Sequence, residues 1–158
     1  MAPRFVIQRH RARALHYDFR LEIDGVLVSW AVPKGITLDP KARHLAVRVD
    51  DHDLGHADFE GVIGRGDVIV WDHGTWALHG ADDARAAVEA GEIHVDLAGE
   101  KVRGRVVLIR TGDPAPTREQ WLVLHKRDAD AVDGWDPEDH PKSVISGLDN
   151  DEVAARDR

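Results

Sequence analysis

Between His10 and Arg20 the chain carries two histidines and an aspartate able to ligate a cation, and a guanidinium able to hold an anion beside it. From His16 onward the pattern alternates: His16, Asp18, Arg20 and Glu22 are interleaved with Tyr17, Phe19, Leu21 and Ile23. Successive side chains of a strand point to opposite faces, so the polar row shares one face and the apolar row packs on the core. Ligands two residues apart on one strand can share one cation, and an arginine one step further suits an anion next to it. Such a row is also an ordinary solvated face with cross-strand ion pairs in most strands. Its company argues for more: His10 lies six residues before His16, and Asp50-Asp51-His52 forms a second cluster.

The elements that must position these groups read as short strands. Asp24-Gly25 between alternating runs is a strong hairpin signal, joining the extended row His16 to Ile23 to a return strand from Val26 to Val32. Further strands are expected at Leu45–Val49, Asp67–Trp71, Thr75–His79, Ile93–Leu97, Arg105–Arg110 and Gln120–Lys126. Ala81 to Ala90 reads as a helix, with acidic residues in its first turn and Gly91 ending it. The fold class expected is mainly β: a single-domain β-barrel of about eight strands with a polar interior site and one or two flanking helices. The tryptophans at 30, 71, 76 and 121 fall in alternating runs and are expected in the core.

The composition narrows the chemistry. The 158 residues include no cysteine, which excludes disulfides, thiolate ligands and thiol catalysis, so any metal must be held by His, Asp or Glu. No apolar run is long enough to cross a bilayer, and a cytoplasmic, monomeric protein with no membrane contact is expected. The net charge of −8 argues against nucleic acid until its distribution is seen: residues 1–48 carry nine basic side chains against four acidic. Residues 1–128 are expected to form the barrel, and 129–158 an acidic, loosely attached tail whose removal from residue 135 onward would spare catalysis and tighten the binding of a polyanion.

The wording of the chain resembles the 3′-phosphoesterase domain that begins bacterial DNA ligase D, and its stand-alone relatives. The resemblance rests on Arg4-Phe5-Val6-Ile7-Gln8-Arg9-His10, Leu15-His16-Tyr17-Asp18-Phe19-Arg20-Leu21-Glu22 and Ser29-Trp30-Ala31-Val32-Pro33-Lys34-Gly35. It continues through Asp51-His52, Asp58-Phe59-Glu60-Gly61-Val62-Ile63, Val68-Ile69-Val70-Trp71-Asp72 and Trp121-Leu122-Val123-Leu124-His125-Lys126, covering roughly residues 4 to 128. It implies a manganese-dependent enzyme that cleans DNA 3′ ends, removing a terminal ribonucleoside to leave a 3′-phosphate and then converting that phosphate to a hydroxyl. It also implies DNA 3′ ends as partners, with a polymerase and a ligase acting in trans.

Carried over by position, the resemblance makes His10, His16 and Asp18 the metal ligands, and Arg20 and His52 the groups that meet the phosphate. Gln8, Glu22 and Lys34 become further polar positions around the site. His44 and His56 stand where the family usually has an arginine and often a tyrosine, and only Gly64-Arg65-Gly66 remain of a longer loop. These departures bear on phosphate grip; the metal set is intact. Because a histidine is charged only below its pKa, His44 in place of arginine is expected to weaken monoester removal relative to diester cleavage. Two other readings of the residues stand beside this one. A His-x-Asp pair with a later histidine is also the iron(II) triad of barrel oxygenases, and a site altered at His44 and His56 would also serve a non-catalytic DNA-end-binding module.

Overall fold

The structure is a computed structural model that describes residues 2–112 and 119–158. Nine antiparallel strands form one sheet in the order β1-β2-β3-β4-β9-β8-β7-β6-β5, and pairing of β1 with β6 closes eight of them into a barrel. These are β1 (Arg4–Arg11), β2 (Leu15–Ile23), β3 (Val26–Val32), β4 (His44–His52), β5 (Gly61–Ile63), β6 (Gly66–His79), β7 (Glu92–Gly99), β8 (Arg103–Arg110) and β9 (Glu119–His125). The short β5 is the strand outside the ring, pairing with the start of β6. Among the described residues two α-helices flank the barrel: α1 (Ala84–Ala90) and α2 (Asn150–Asp157).

The number of barrel strands matches the expectation, but two of its parts differ. β1 was not read as a strand, because Phe5-Val6-Ile7 is a continuous apolar run in which alternation is lost. Phe5 and Ile7 belong to the main core, while Val6 is buried on the opposite face with Leu27, Ala57 and Val70. Conversely, the two expected strands 67–71 and 75–79 are one strand of fourteen residues. Its register against β1 shifts between Ile7 and Gln8, leaving Trp71 as the extra residue of a bulge. A bulge inverts the inside-outside parity. Ile69 and Trp71 point into the core before it, Trp76 after it, so one strand reads as two.

The barrel lumen is apolar. One buried cluster draws side chains from all eight barrel strands, among them Phe5, Tyr17, Phe19, Trp30, Ala46, Trp71, Val95, Leu108 and Trp121. Residues of β2 alternate, so with Phe19 and Leu21 in the lumen, His16, Asp18 and Arg20 lie on the outer wall. The expectation of a polar interior site is corrected accordingly. An apolar lumen fills with large side chains that bring few polar atoms, the Trp30 and Trp76 indole N–H groups being buried there without a partner, and the charged row is sheltered from outside by a covering segment.

Local signals account for the turns. Asp24 (φ 52°) and Gly25 (φ 82°) both take left-handed conformations, as a two-residue hairpin turn requires. Asp83 caps α1 by accepting from the Ala86 N–H, so the helix begins three residues later than expected, and Gly91 (φ 92°) ends it. Gly74 is required by close approach: a Cβ there would lie 2.0 Å from the Ala98 carbonyl oxygen on β7. Gly74→Ala is expected to push β6 from β7 and cost about 1–3 kcal/mol, read as a lower urea midpoint; an unchanged midpoint would refute this.

Residues 129–158 were expected to hang loosely; the structure shows them fastened to one end of the barrel. Val153 is fully buried in the main core, and Trp135 packs edge-on against Trp71. Glu138 takes two hydrogen bonds from Arg9, at 3.0 and 2.6 Å, and another from the Tyr17 hydroxyl. The buried Asn150 donates to the Arg9 carbonyl and to Asp67, and the Trp71 indole N–H donates to the His140 carbonyl. The acidic excess that suggested a solvated tail thus has partners: Glu138 and Asp151 meet Arg9 and Arg11 of the basic first strand.

Candidate active site

The two-residue turn at Asp24-Gly25 fixes the β2–β3 register, setting Arg20 opposite Ser29. The turn over residues 12–14 likewise sets His10 opposite His16 and Gln8 opposite Asp18. The outer wall therefore presents Gln8 and His10 from β1 beside His16, Asp18 and Arg20 from β2. A short 3₁₀ turn (Leu54–Asp58) and the residues after it lie over this row, because the Gln8 amide donates to the His56 and Phe59 carbonyls at 2.8 and 3.2 Å.

Within the row, one ligand atom from each of His10, His16 and Asp18 lies within 4.8 Å of the others. His16 Nε2 is 3.3 Å from one oxygen of Asp18, and His10 Nδ1 is 3.6 Å from the other. His16 Nδ1 lies 3.2 Å from the Ala14 carbonyl, which favours a proton on Nδ1 and turns Nε2, beside Asp18, toward the place a cation would take. Two imidazoles and a carboxylate converging at these spacings fit a divalent transition ion after small side-chain adjustments.

Burial by itself would raise the Asp18 carboxyl, but hydrogen bonds from His10 and His16 and the charge of Arg20 hold it well below the usual carboxylate range. The hydrogen bond to Asp18 raises His16. The carboxylate is thus ionised and draws positive charge toward itself, as a cation ligand must.

Arg20 is almost fully buried and its donors are already placed. Nε donates to Gln8 Oε1 at 2.7 Å, and Nη1 donates to Ser29 Oγ at 2.9 Å and lies 3.0 Å from His52 Nδ1. Nη2 sits 3.4 Å from Asp18. Burial lowers the Arg20 pKa, with Asp18 opposing it, yet a guanidinium keeps its charge. An arginine held on three sides cannot swing, so any anion it meets finds its donors pre-oriented. His52 Nδ1 lies 3.0 Å from Arg20 Nη1, which can only donate, and 3.0 Å from the Asp50 carbonyl, which can only accept, so the two contacts call for opposite tautomers of the ring.

His56 lies 4.9 Å from the His52 ring and stacks on Phe59. Burial lowers its pKa, helped by the charges of Arg20 and His52. His10, Asp18, Arg20, His52 and His56, with Ile63 and Val68, line a cleft of about 210 Å³.

Three residues named from the sequence are placed elsewhere. Glu22 accepts from the backbone N–H of Arg4, further along β2. Lys34 and His44 line a separate cleft of about 470 Å³ with Tyr17, Thr37 and Trp135, and His44 Nδ1 is 2.6 Å from the Gly35 carbonyl. For His44 this changes the expectation: in this structure its ring is engaged by the β3–β4 loop. Ser29 was missed among the residues of the site, although the Asp-Gly turn already implied that it faces Arg20. Ile63 and Val68 were also missed, since their place in the cleft depends on the β5–β6 hairpin.

Residues 8–110 match the family model of the DNA Ligase D 3′-phosphoesterase domain. The chain is 48% identical over 151 residues to the multifunctional non-homologous end joining protein LigD of Pseudomonas aeruginosa, covering 90% of this chain and 18% of that protein. It is 47% identical over 124 residues to the LigD of Mycobacterium tuberculosis, covering 75% of this chain and 15% of the relative. With the LigD of Mycolicibacterium smegmatis it shares 42% identity over 139 residues, 79% of this chain and 17% of that protein. The chain thus spans less than a fifth of the length of these relatives. A family match over most of the chain, through both strands of the His-Asp-Arg row, settles its membership: the chain belongs to the DNA ligase D 3′-phosphoesterase domain family.

Proposed function

We propose that this protein is a metal-dependent phosphoesterase acting on DNA 3′ ends in break repair by end joining, with manganese as the ion. It would remove a 3′-terminal ribonucleoside to leave a phosphate and then remove that phosphate. The observation that carries the reading is the adjacency of a cation-ligand set, His10, His16 and Asp18, to the immobilised Arg20, with His10, Asp18 and Arg20 lining one cleft.

The chemistry divides between the two halves. A divalent ion on His10, His16 and Asp18 supplies Lewis acidity toward a phosphate oxygen and a lowered pKa for bound water. Arg20 presents Nη2 to the non-bridging oxygens of the phosphate and offsets the charge that builds on them. Gln8 and Ser29 fix the guanidinium by the contacts described above, and Gln8 ties it to the covering segment. His52, in the tautomer whose Nδ1 accepts from Arg20, offers Nε2–H to the departing oxygen as a general acid. His56, kept neutral beside it, adds a polar contact at the rim without competing charge.

The test is direct. The protein is incubated with manganese and a primer–template ending in a single ribonucleotide or in a 3′-phosphate, and the product ends are resolved by electrophoresis. Conversion to a 3′-phosphate and then a 3′-hydroxyl is expected with manganese and not with a chelator. Retained end binding with no turnover across divalent metals would favour a DNA-end-binding module instead.

A further inference from the structure

We infer that Ile63 is a specificity-determining residue, an apolar seat for the base of the terminal nucleoside at a DNA 3′ end; this rests on the 3′-end reading above. The cleft is chemically two-sided. His10, Asp18, Arg20, His52 and His56 line one side, and Ile63 with Val68 lines the other. A phosphate fully satisfies the first side and has no use for the second. The apolar side fits the unstacked face of a base or sugar attached to that phosphate.

Ile63 is presented for such a contact. It is 43% exposed, and of the large apolar side chains left this open among the described residues it is the one that lines the cleft. Across the hairpin its partner is Gly66, which has no side chain to cover it, and a Cβ on the neighbouring Gly64 would meet nothing within 4 Å. The hairpin is seated against the β1–β2 turn, since a Cβ on Gly66 would lie 2.1 Å from the Arg11 carbonyl oxygen. Arg13 and Arg65 are exposed at the tips of these two turns, from which long cationic side chains can meet the backbone phosphates of an entering strand.

The base in question is the terminal one. An internal base of a primer is stacked on both faces, whereas the last base has one face bare, and only a bare face has apolar surface to give to Ile63. A terminus whose ribose lacks a base should therefore be blind to the residue.

The experiment compares wild type, Ile63→Ser and Ile63→Leu on primer–templates ending in a ribonucleoside or in an abasic ribose. Hydrolysis is followed with manganese, and equilibrium binding by fluorescence anisotropy with metal-free protein. Ile63→Ser is expected to lose roughly tenfold in kcat/KM on the base-bearing end, carried by KM, at the low end of what a methylene in an apolar pocket gives. On the abasic end it should change less than about twofold by the same argument, and Ile63→Leu should restore the base-bearing reaction. The metal-free affinities should follow the same order. Equal losses on both ends, a loss carried by kcat alone, or no change would each overturn the inference. If wild type hydrolyses neither end but its binding still discriminates the base through Ile63, the seat stands and the catalytic reading falls.

Discussion

Asp18→Ala is expected to abolish ester hydrolysis and to destabilise the protein, whereas His16→Ala should abolish hydrolysis and leave stability near wild type. Both changes remove a proposed ligand, and the loss of turnover should exceed about a hundredfold, since partners that merely orient a metal ligand already cost 10–100-fold. The difference lies in what is left behind. The His16 side chain is 24% exposed and can be replaced by water. Asp18 is the carboxylate beside Arg20, whose side chain is only 4% exposed. Removing the carboxylate strands a buried guanidinium, for a loss of about 3 kcal/mol, or roughly 10 °C in melting temperature for a chain of this size. Calorimetry and manganese titration together test this. Wild-type turnover in His16→Ala, or Asp18→Ala melting with wild type, would defeat the assignment. Arg20→Gln should instead retain manganese binding while losing catalysis.

Deleting residues 135–158 is expected to unfold the barrel. Trp135 and Val153 pack on the main core, and Asn150 satisfies the Arg9 carbonyl and Asp67 from a buried position. Fully burying one large apolar side chain stabilises by about 1.5–3 kcal/mol. Losing the fully buried Val153 and the partly buried Trp135, with the Arg9–Glu138 pair and the buried amide, reaches the lower end of the roughly 5–15 kcal/mol typical of a domain. Loss of cooperative thermal unfolding in the truncated chain is the outcome to look for; a folded, active truncation would refute it. Acid should loosen the same contacts. Hydrogen bonding to Arg9 lowers Glu138 from 4.5, with burial opposing. For Asp67 burial acts upward, but Arg11 and Asn150 bring it below 3.8. A depressed folded-state pKa means stabilisation that is complete above the unfolded value and lost as pH falls through the folded one. The end of the barrel should therefore weaken below about pH 4.5, and Glu138→Gln should flatten that part of the stability curve.

What the sequence displayed depended on how local each feature was. The row His16-Asp18-Arg20 was legible because a strand writes its two faces in alternate letters, and the Asp24-Gly25 hairpin because the turn residues name it. β1 was hidden since Val6 is buried on the outer wall, so both faces of that strand are apolar there. The bulge at Trp71 made one strand look like two. Docking of the last thirty residues escaped notice because composition counts acidic groups but not their partners on β1. The polar row was assigned to the inside although its apolar neighbours had to occupy that place. Ser29 was within reach of simple register arithmetic; Ile63 was not.

The spans over which the two halves of the site are assembled differ widely. His10, His16 and Asp18 come from one hairpin whose strands end at Arg11 and resume at Leu15. Arg20 is fixed by Gln8, twelve residues away, and by His52, thirty-two away, while Gln8 reaches the covering segment across forty-eight to fifty-one residues. The contacts of Arg9 with Glu138 and Asn150 close spans of 129 and 141 residues. Short loops close within microseconds, while long-range pairings that finish a barrel are slow. In refolding, the cation side therefore assembles on the clock of a hairpin and the anion side on the clock of the whole chain. A kinetic intermediate of this protein would possess ligands before it possesses a catalyst.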